Sequence, residues 1–318
     1  MTSDPIISLD VVVLGGAAVD LVAQVERLPQ RDSLALAYSY AKFPGGSAAN
    51  VAVGIARLGR RVGFVGKLGD DENGRMLLEA FEQERVDTRG VIVEADRPTA
   101  TCFIGVDKLG DRIIFGLPGA SLIENTEELD RAYLRNSQVL YIGPSYANVA
   151  AVAAVVAREQ GTSIFCAPGS GWGPDGLAHL CPVLEQSDVL LVSHTEATEL
   201  TGLTSPAETL HVLSQTGPPV VVETLGAQGA IVLAYEHVIK VPSSAAPQVQ
   251  DTTGAGDAFA AGLIVGFLEG LDWEGATRMG CAAAALKIRH IGARNGLPTR
   301  KEIAGIIGNA EPDRRTNC

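Results

Sequence analysis

The stretch VQDTTGAGDAFAAG, from Val249 to Gly262, holds the densest chemistry-bearing pattern in the chain. Glycines 254 and 256 can adopt backbone angles closed to other residues. The amides of residues 254 to 257, Gly254, Ala255, Gly256 and Asp257, would then point into one small volume at the start of a helix. Free N–H groups at a helix N-terminus attract anions, and the glycines let a phosphate approach the backbone. Asp257 stands beside that volume, where a carboxylate could take the proton of a hydroxyl attacking phosphorus. The competing reading makes Asp257 a helix cap that satisfies the amides of its own first turn. On this segment alone both readings stand.

A second glycine turn lies in FPGGSAAN, with Gly45 and Gly46 ahead of a predicted helix and Asn50 in its first turn. Paired glycines permit close approach of a ligand, and Asn50 offers a donor and an acceptor to a hydroxyl-rich molecule. A tight turn with a capping residue would look the same. Asp20, in GGAAVD, is expected at the carboxyl end of a strand, where α/β sheets bind ligands. GGAA lacks the G-x-G-x-x-G spacing, so a nicotinamide-dependent dehydrogenase is the weakest of the readings. The sequence contains neither a P-loop nor H-E-x-x-H, and its five histidines show no metal-ligand spacing.

These residues need a scaffold, and the chain supplies one by alternation. LDVVVLGG reads as a strand and SAANVAVGIARLG as a helix; RVGFVGKLG and NGRMLLEAFEQERV repeat the pair. SQVLYIG, ANVAAVAAVVAREQG, SIFCAPG, SDVLLVS, TEATELTG, a short helix from Pro206, PPVVVETLG and QGAIVLAYE continue it. Such alternation implies a doubly wound, mostly parallel sheet flanked by helices. Two stretches, about 33–44 and 90–118, read instead as short alternating strands without a helix between them, a small β-sheet lid on a single domain over 1–310. Helices are predicted at Ala258–Gly270 and Trp273–His290, with a frayed tail over 311–318.

Composition narrows the partners. The 318 residues are 46% apolar and 19% charged, with net charge −12, a balance that repels nucleic acid and anionic lipid. Phosphates must therefore be held by local backbone donors or metals. Five cysteines without C-x-x-C spacing, and a start without a basic, apolar leader, point to a cytoplasmic protein. The longest apolar segments fall well short of the ~20 residues that span a membrane.

FPGGSAANVAVGIARLG, GKLGDDENGRMLLEAF and DTTGAGDAFAAGL, in that order, resemble the signature regions of the ribokinase-like, phosphofructokinase-B carbohydrate kinases. The agreement in order and spacing runs from about Asp10 to Pro298. The resemblance implies ATP-dependent phosphorylation of a hydroxymethyl group on a small sugar, sugar acid or nucleoside. It makes Asp257 the base, and the Gly254, Ala255 and Gly256 backbone the anion hole. It gives Asp20, Gly45, Gly46 and Asn50 to the acceptor, and Thr224, Gly226 and Gly229 to ATP. Glu196 becomes the acidic member of an Asn-x-x-Glu motif that positions Mg²⁺ through water. Asp251 and the Thr253 carbonyl, with backbone near His290 and Gly292, match the family's monovalent-cation site, so K⁺ is expected.

Three positions depart from the family pattern. Ser193, on the ATP side, replaces the Asn of Asn-x-x-Glu. Gly143 and Ala18 fall where ribokinases carry a glutamate and an asparagine, so ribose is a poor first guess. Cys166 stands at a strand end where an acidic residue or Asn is common, and reads as an inert thiol. Ser193 also motivates an alternative, a non-catalytic sugar sensor on the same fold. Specificity is expected in Tyr38, Tyr40, Thr99, Thr101, Phe103 and Phe115, and exposed lid strands suggest a homodimer.

Overall fold

The structure, a computed structural model, describes residues 9–170, 172, 176–246 and 248–310. The tail expected over 311–318 lies outside the described residues. In chain order the strands are β1 (Leu9–Leu14), β2 (Ala18–Val25), β3 (Ala37–Gly45), β4 (Val62–Gly69), β5 (Asp87–Glu94), β6 (Thr101–Val106) and β7 (Arg112–Leu117). They continue as β8 (Ser137–Ile142), β9 (Ser163–Cys166), β10 (Val189–Ser193), β11 (Val220–Thr224), β12 (Ala230–Ala234) and β13 (His237–Val241). The helices are α1 (Ser47–Arg57), α2 (Glu72–Gln83), α3 (Arg131–Leu134), α4 (Ala147–Arg158) and α5 (Gly176–Leu184). Then come α6 (His194–Thr201), α7 (Pro206–Ser214), α8 (Ala255–Leu268), α9 (Trp273–Lys287) and α10 (Arg300–Ala310).

Nine strands form one sheet in the order β13-β12-β11-β10-β9-β8-β1-β4-β5. Neighbours from β11 to β5 run parallel, and β12 and β13 close one edge as an antiparallel hairpin. Every residue of β1 is buried because helices cover both faces. Val11 and Val13 pack on the side of α1, α8 and α9, while Val12 and Leu14 pack on the side of α4 and α5. Each such fully buried side chain contributes about 1.5–3 kcal/mol. In α4 the buried residues Val149, Ala150, Ala153, Ala154, Val156 and Ala157 follow the helical repeat, which lays one stripe of alanine and valine on the sheet.

Four strands form a separate sheet, β3-β2-β6-β7, with β2 and β6 parallel and the outer pairs antiparallel. The stretch 90–118 is thus divided: its first residues belong to β5 at the edge of the main sheet, and only β6 and β7 join the small one. β5, DTRGVIVE, is only partly buried, as an edge strand is, and sequence alone cannot tell such a strand from one of an appended sheet. β2 emerges directly from the loop after β1, with no turn residues beyond the glycines to announce it. Helix α8 starts at Ala255, three residues before the predicted start, and α9 ends at Lys287 rather than His290.

The sheet order sets the position of the site. From β1 the chain passes through α1 to β4 on one side, whereas β8 adds on the other side. The strand order reverses at this pair, and the crevice outside the carboxyl ends of β1 and β8 is where open α/β sheets take ligands. Gly15 and Gly143 follow those strands, and the start of α1 lies against both: a Cβ on Gly143 would stand 3.0 Å from that of Ala48.

Candidate active site

Helices α8 and α1 begin at the crevice without a side-chain cap. α8 starts after Gly254, whose φ of 78° is left-handed, and a Cβ there would lie 2.6 Å from the Ala293 carbonyl oxygen. Only glycine fits such a position without strain. α1 starts after Gly46, at φ 91°, pressed against the Gly16–Ala17 backbone. Both starts leave first-turn N–H groups without a capping side chain.

Asp257 is the third residue of α8, and its carboxylate turns away from its own helix. Oδ1 accepts the Ser47 hydroxyl at 2.7 Å, and Oδ2 accepts the Asn50 amide at 2.8 Å. The capping reading therefore gives way, since Asp257 bonds across to α1. Burial pushes its carboxyl above the usual range, while the Asn50 and Ser47 donors and the Arg294 and Lys287 cations pull it back.

Sequence reasoning passed over Arg294. It is only 7% exposed, and its Nε donates to Asn50 Oδ1 at 2.9 Å and its Nη2 to the Gly45 carbonyl at 3.1 Å. An arginine can only donate. Asn50 must therefore turn its carbonyl to Arg294 and its NH₂ to Asp257, which suits an ionised carboxylate. Nη1 is buried without a hydrogen-bond partner, and the guanidinium lies 5.5 Å from the Phe81 ring centre. Burial pushes Arg294 down to about 10, against the pull of Asp20, so it stays charged at neutral pH. Within GARNGLPTR nothing in periodicity or spacing marks it.

Asp20 does not end a strand of the main sheet; it is the third residue of β2 in the small sheet, opposite Cys102 of β6. The chain turns into β2 within four residues of β1, which still brings Asp20 to the crevice. Its carboxylate lies across Gly45, where any Cβ would collide with it. Desolvation pushes Asp20 up to about 6, with Arg294 opposing and Asp257 adding to the rise. Asp20, Gly45, Gly46, Asn50 and Asp257 thus form one cluster, joined by Ser47 and Arg294.

A cavity of about 280 Å³ opens beside this cluster, lined by Gly46, Ser47, Arg97, Ser121, Glu124 and Tyr146 among others. Arg97 is paired there with Glu124 at 2.7 Å. Of the side chains expected to set specificity, Thr99 is buried and gives its hydroxyl to Asp71, the cap of α2, at 2.7 Å. Tyr38 and Tyr40 are exposed, and Phe103 and Phe115 pair with ring centres 6.4 Å apart.

On the other side of the α8 start lies a cavity of about 550 Å³. Thr224, Gly226 and Gly229 line one wall, and Ala255, Gly256 and Phe259 another. Ser193 and Glu196 stand at the end of β10 as a reciprocal capping box on α6. Glu196 N donates to Ser193 Oγ at 3.2 Å, and Ser193 N donates to Glu196 Oε2 at 2.7 Å. Serine in place of asparagine thus keeps a strong helix cap. Cys166 is buried and its thiol pushed up to about 12, far from a nucleophile.

The three residues assigned to a monovalent cation do meet. Asp251 accepts the Thr253 N–H at 2.9 Å on Oδ1 and the Gly292 N–H at 2.8 Å on Oδ2. Two cations not anticipated from sequence also reach this loop. Lys287 Nζ donates to the Asp251 carbonyl at 3.0 Å, and Arg112 of β7 donates to the Thr253 hydroxyl at 2.9 Å. Among the described residues no group of three or more His, Cys, Asp or Glu is placed to hold a metal, and no helix is long and apolar enough to cross a membrane.

A doubly wound sheet, a small second sheet, and a carboxylate beside a glycine-opened helix start at the switch point together define a ribokinase-like protein. The profile of pfkB family carbohydrate kinases matches residues 8–300, and the chain belongs to that family. Fructokinase-1 of Oryza sativa subsp. japonica is 31% identical over 322 residues, covering 94% of this chain and 98% of that protein. The ATP-dependent ribose-1-phosphate kinase of Halopiger xanaduensis is 33% identical over 289 residues, covering 91% and 94%. The Arabidopsis thaliana ribokinase structure with ribose and ATP superposes with TM-score 0.86 at 26% identity, covering 95% of this chain and 99% of that one.

Proposed function

We propose that this carbohydrate kinase transfers the γ-phosphoryl group of ATP to a hydroxymethyl group of a small sugar, sugar acid or nucleoside. The observation that carries this reading is the position of the α8 start between two cavities. Ser47, bonded to Asp257, lines the smaller one, and Gly256, next to Asp257, lines the larger. An acceptor in the first and a nucleotide in the second would meet at the open amides of Gly254 to Asp257.

Asp257 would take the acceptor proton at Oδ1 or Oδ2, with Ser47 and Asn50 holding the carboxylate in place. The Gly254, Ala255 and Gly256 backbone would stabilise the charge that develops on the transferring group. Asp20, Gly45, Gly46 and Asn50 would orient acceptor hydroxyls, and Thr224, Gly226, Gly229 and the Ser193 end of β10 would face the nucleotide. Glu196 keeps one carboxylate oxygen beyond its cap contact, enough to reach a hydrated Mg²⁺ carried on the phosphates, which neutralises their charge when bound. Exposed Tyr38, Tyr40, Ile114 and Phe115 support pairing of small sheets between two copies.

ADP release measured over a panel of sugars, sugar acids and nucleosides tests the reading. Asp257→Asn should bind the acceptor nearly as well as the native protein while turnover falls about 10²–10⁴-fold. Turnover close to that of the native protein would remove Asp257 from the role of base. A ligand bound tightly with no ADP released would favour a sensor.

A further inference from the structure

Lys287 closes the alanine-rich helix α9 and is completely buried. Its ammonium donates to two backbone carbonyls, Asp251 at 3.0 Å and His290 at 3.3 Å. Those carbonyls bracket the loops that the family resemblance gives to a monovalent cation. Several other oxygens nearby are also claimed from within the chain. Both Asp251 carboxylate oxygens accept backbone N–H groups, from Thr253 and Gly292. The Ile288 carbonyl accepts N–H groups from Gln250 at 2.8 Å and Asp251 at 3.2 Å, and the Ile291 carbonyl accepts the Asn295 amide at 2.9 Å.

A potassium ion binds where several oxygens face a common point with no cation among them. Here most of the oxygens already face hydrogen-bond donors, and one donor is an ammonium group. A second cation beside it would meet like-charge repulsion in a poorly hydrated place. The donor set therefore does not fit potassium.

We infer that the Lys287 ammonium is a tethered replacement for the family's monovalent cation, holding and charging the 251–254 loop so that the protein works without potassium. The ammonium ties the Asp251 carbonyl to that of His290, and so fixes the loop that leads through Gly254 into α8. Its charge acts on Asp251 and Asp257, next to the amides proposed to receive the phosphoryl group.

Thermal unfolding of the full chain in potassium chloride and in choline chloride, at equal ionic strength, reads the site without any acceptor. The native midpoints should coincide in the two salts. Lys287→Ala should unfold lower in choline chloride and recover in potassium chloride, because an ion that binds only the folded state stabilises it. A native midpoint that rises saturably with potassium would overturn the inference.

Turnover gives the second measurement, by ADP release with D-fructose and D-ribose as probe acceptors in the same salts. The native protein should be equally fast in both. Lys287→Ala should be about tenfold or more slower in choline chloride and partly restored by potassium. Lys287→Met, of similar size but neutral, should be slow in both. Native-like turnover of Lys287→Met in choline chloride would also overturn the inference. If Lys287→Ala fails to fold, the native salt comparison and Lys287→Met still decide. The turnover consequence rests on the kinase reading, whereas the unfolding comparison does not. A native protein inert toward both acceptors in both salts would count against those two substrates only, and unfolding would then decide the cation.

Discussion

The starts of α6 and α8 solve the same electrostatic problem in opposite ways. Each presents the positive end of a helix at the carboxyl edge of the main sheet. In α6 the Ser193 hydroxyl and Glu196 carboxylate close the end reciprocally. In α8 the cap position is a left-handed glycine with no side chain, and the nearby carboxylate bonds to another helix. A sealed start is worth stability, and an open one leaves donors for a ligand. The contrast supports the proposal that the α8 start serves the chemistry, while Ser193 caps α6.

The largest effect should come from closing the open start. Gly254→Val would force a branched side chain into a left-handed backbone and onto the Ala293 carbonyl, 2.6 Å from where its Cβ would stand. Turnover should fall about 10²–10³-fold as the amides move out of line, with acceptor affinity much less affected, as steady-state kinetics would show. Native-like turnover would mean that the helix start can be remodelled without cost, and the contrast would lose its meaning.

Arg294→Met comes next, because it acts on the partner that holds Asp257. Removing the guanidinium leaves Asn50 Oδ1 without its donor, a loss of about 1–3 kcal/mol, or roughly five- to 150-fold in turnover. The sign of the pH effect follows from the charges. Arg294 lowers both the Asp20 and Asp257 carboxyls. Without it both would protonate at higher pH, so the acid limb of kcat/KM should move upward and activity should fail first in acid. A lower rate with an unmoved limb would reduce Arg294 to a packing role.

The main sheet and both glycine turns were legible because they obey local rules. β-branched runs, helical periodicity and glycine punctuation each act over fewer than a dozen residues. What escaped depends on contacts across the chain. Ser47 and Asn50 meet Asp257 from more than two hundred positions away, and Arg294 reaches Asn50 over a similar separation. Nothing local marks Lys287, since lysine near a helix C-terminus is common for dipole reasons alone. Its burial, and the carbonyls it ties, appear only when α9 packs against the 251–254 loop. β2 was lost for a different reason: its neighbour β3 is close in sequence, but β2 follows β1 after only three residues and its other partner, β6, is some eighty residues away, so the local pattern does not separate it into a second sheet.

The smallest effect is expected at the sealed start. Ser193→Ala removes the hydroxyl that accepts the Glu196 N–H, at a cost of about 1 kcal/mol in stability. Ser193→Asn restores a good cap and should recover most of that loss. Both should show in urea unfolding, while turnover at saturating substrates changes less than about fivefold, the equivalent of that same energy. The two measurements separate the roles. If Ser193→Ala unfolds like the native protein yet loses most of its turnover, the hydroxyl serves the phosphates rather than the helix. The α6 start would then be as functional as that of α8, and the division between them would have to be redrawn around Glu196.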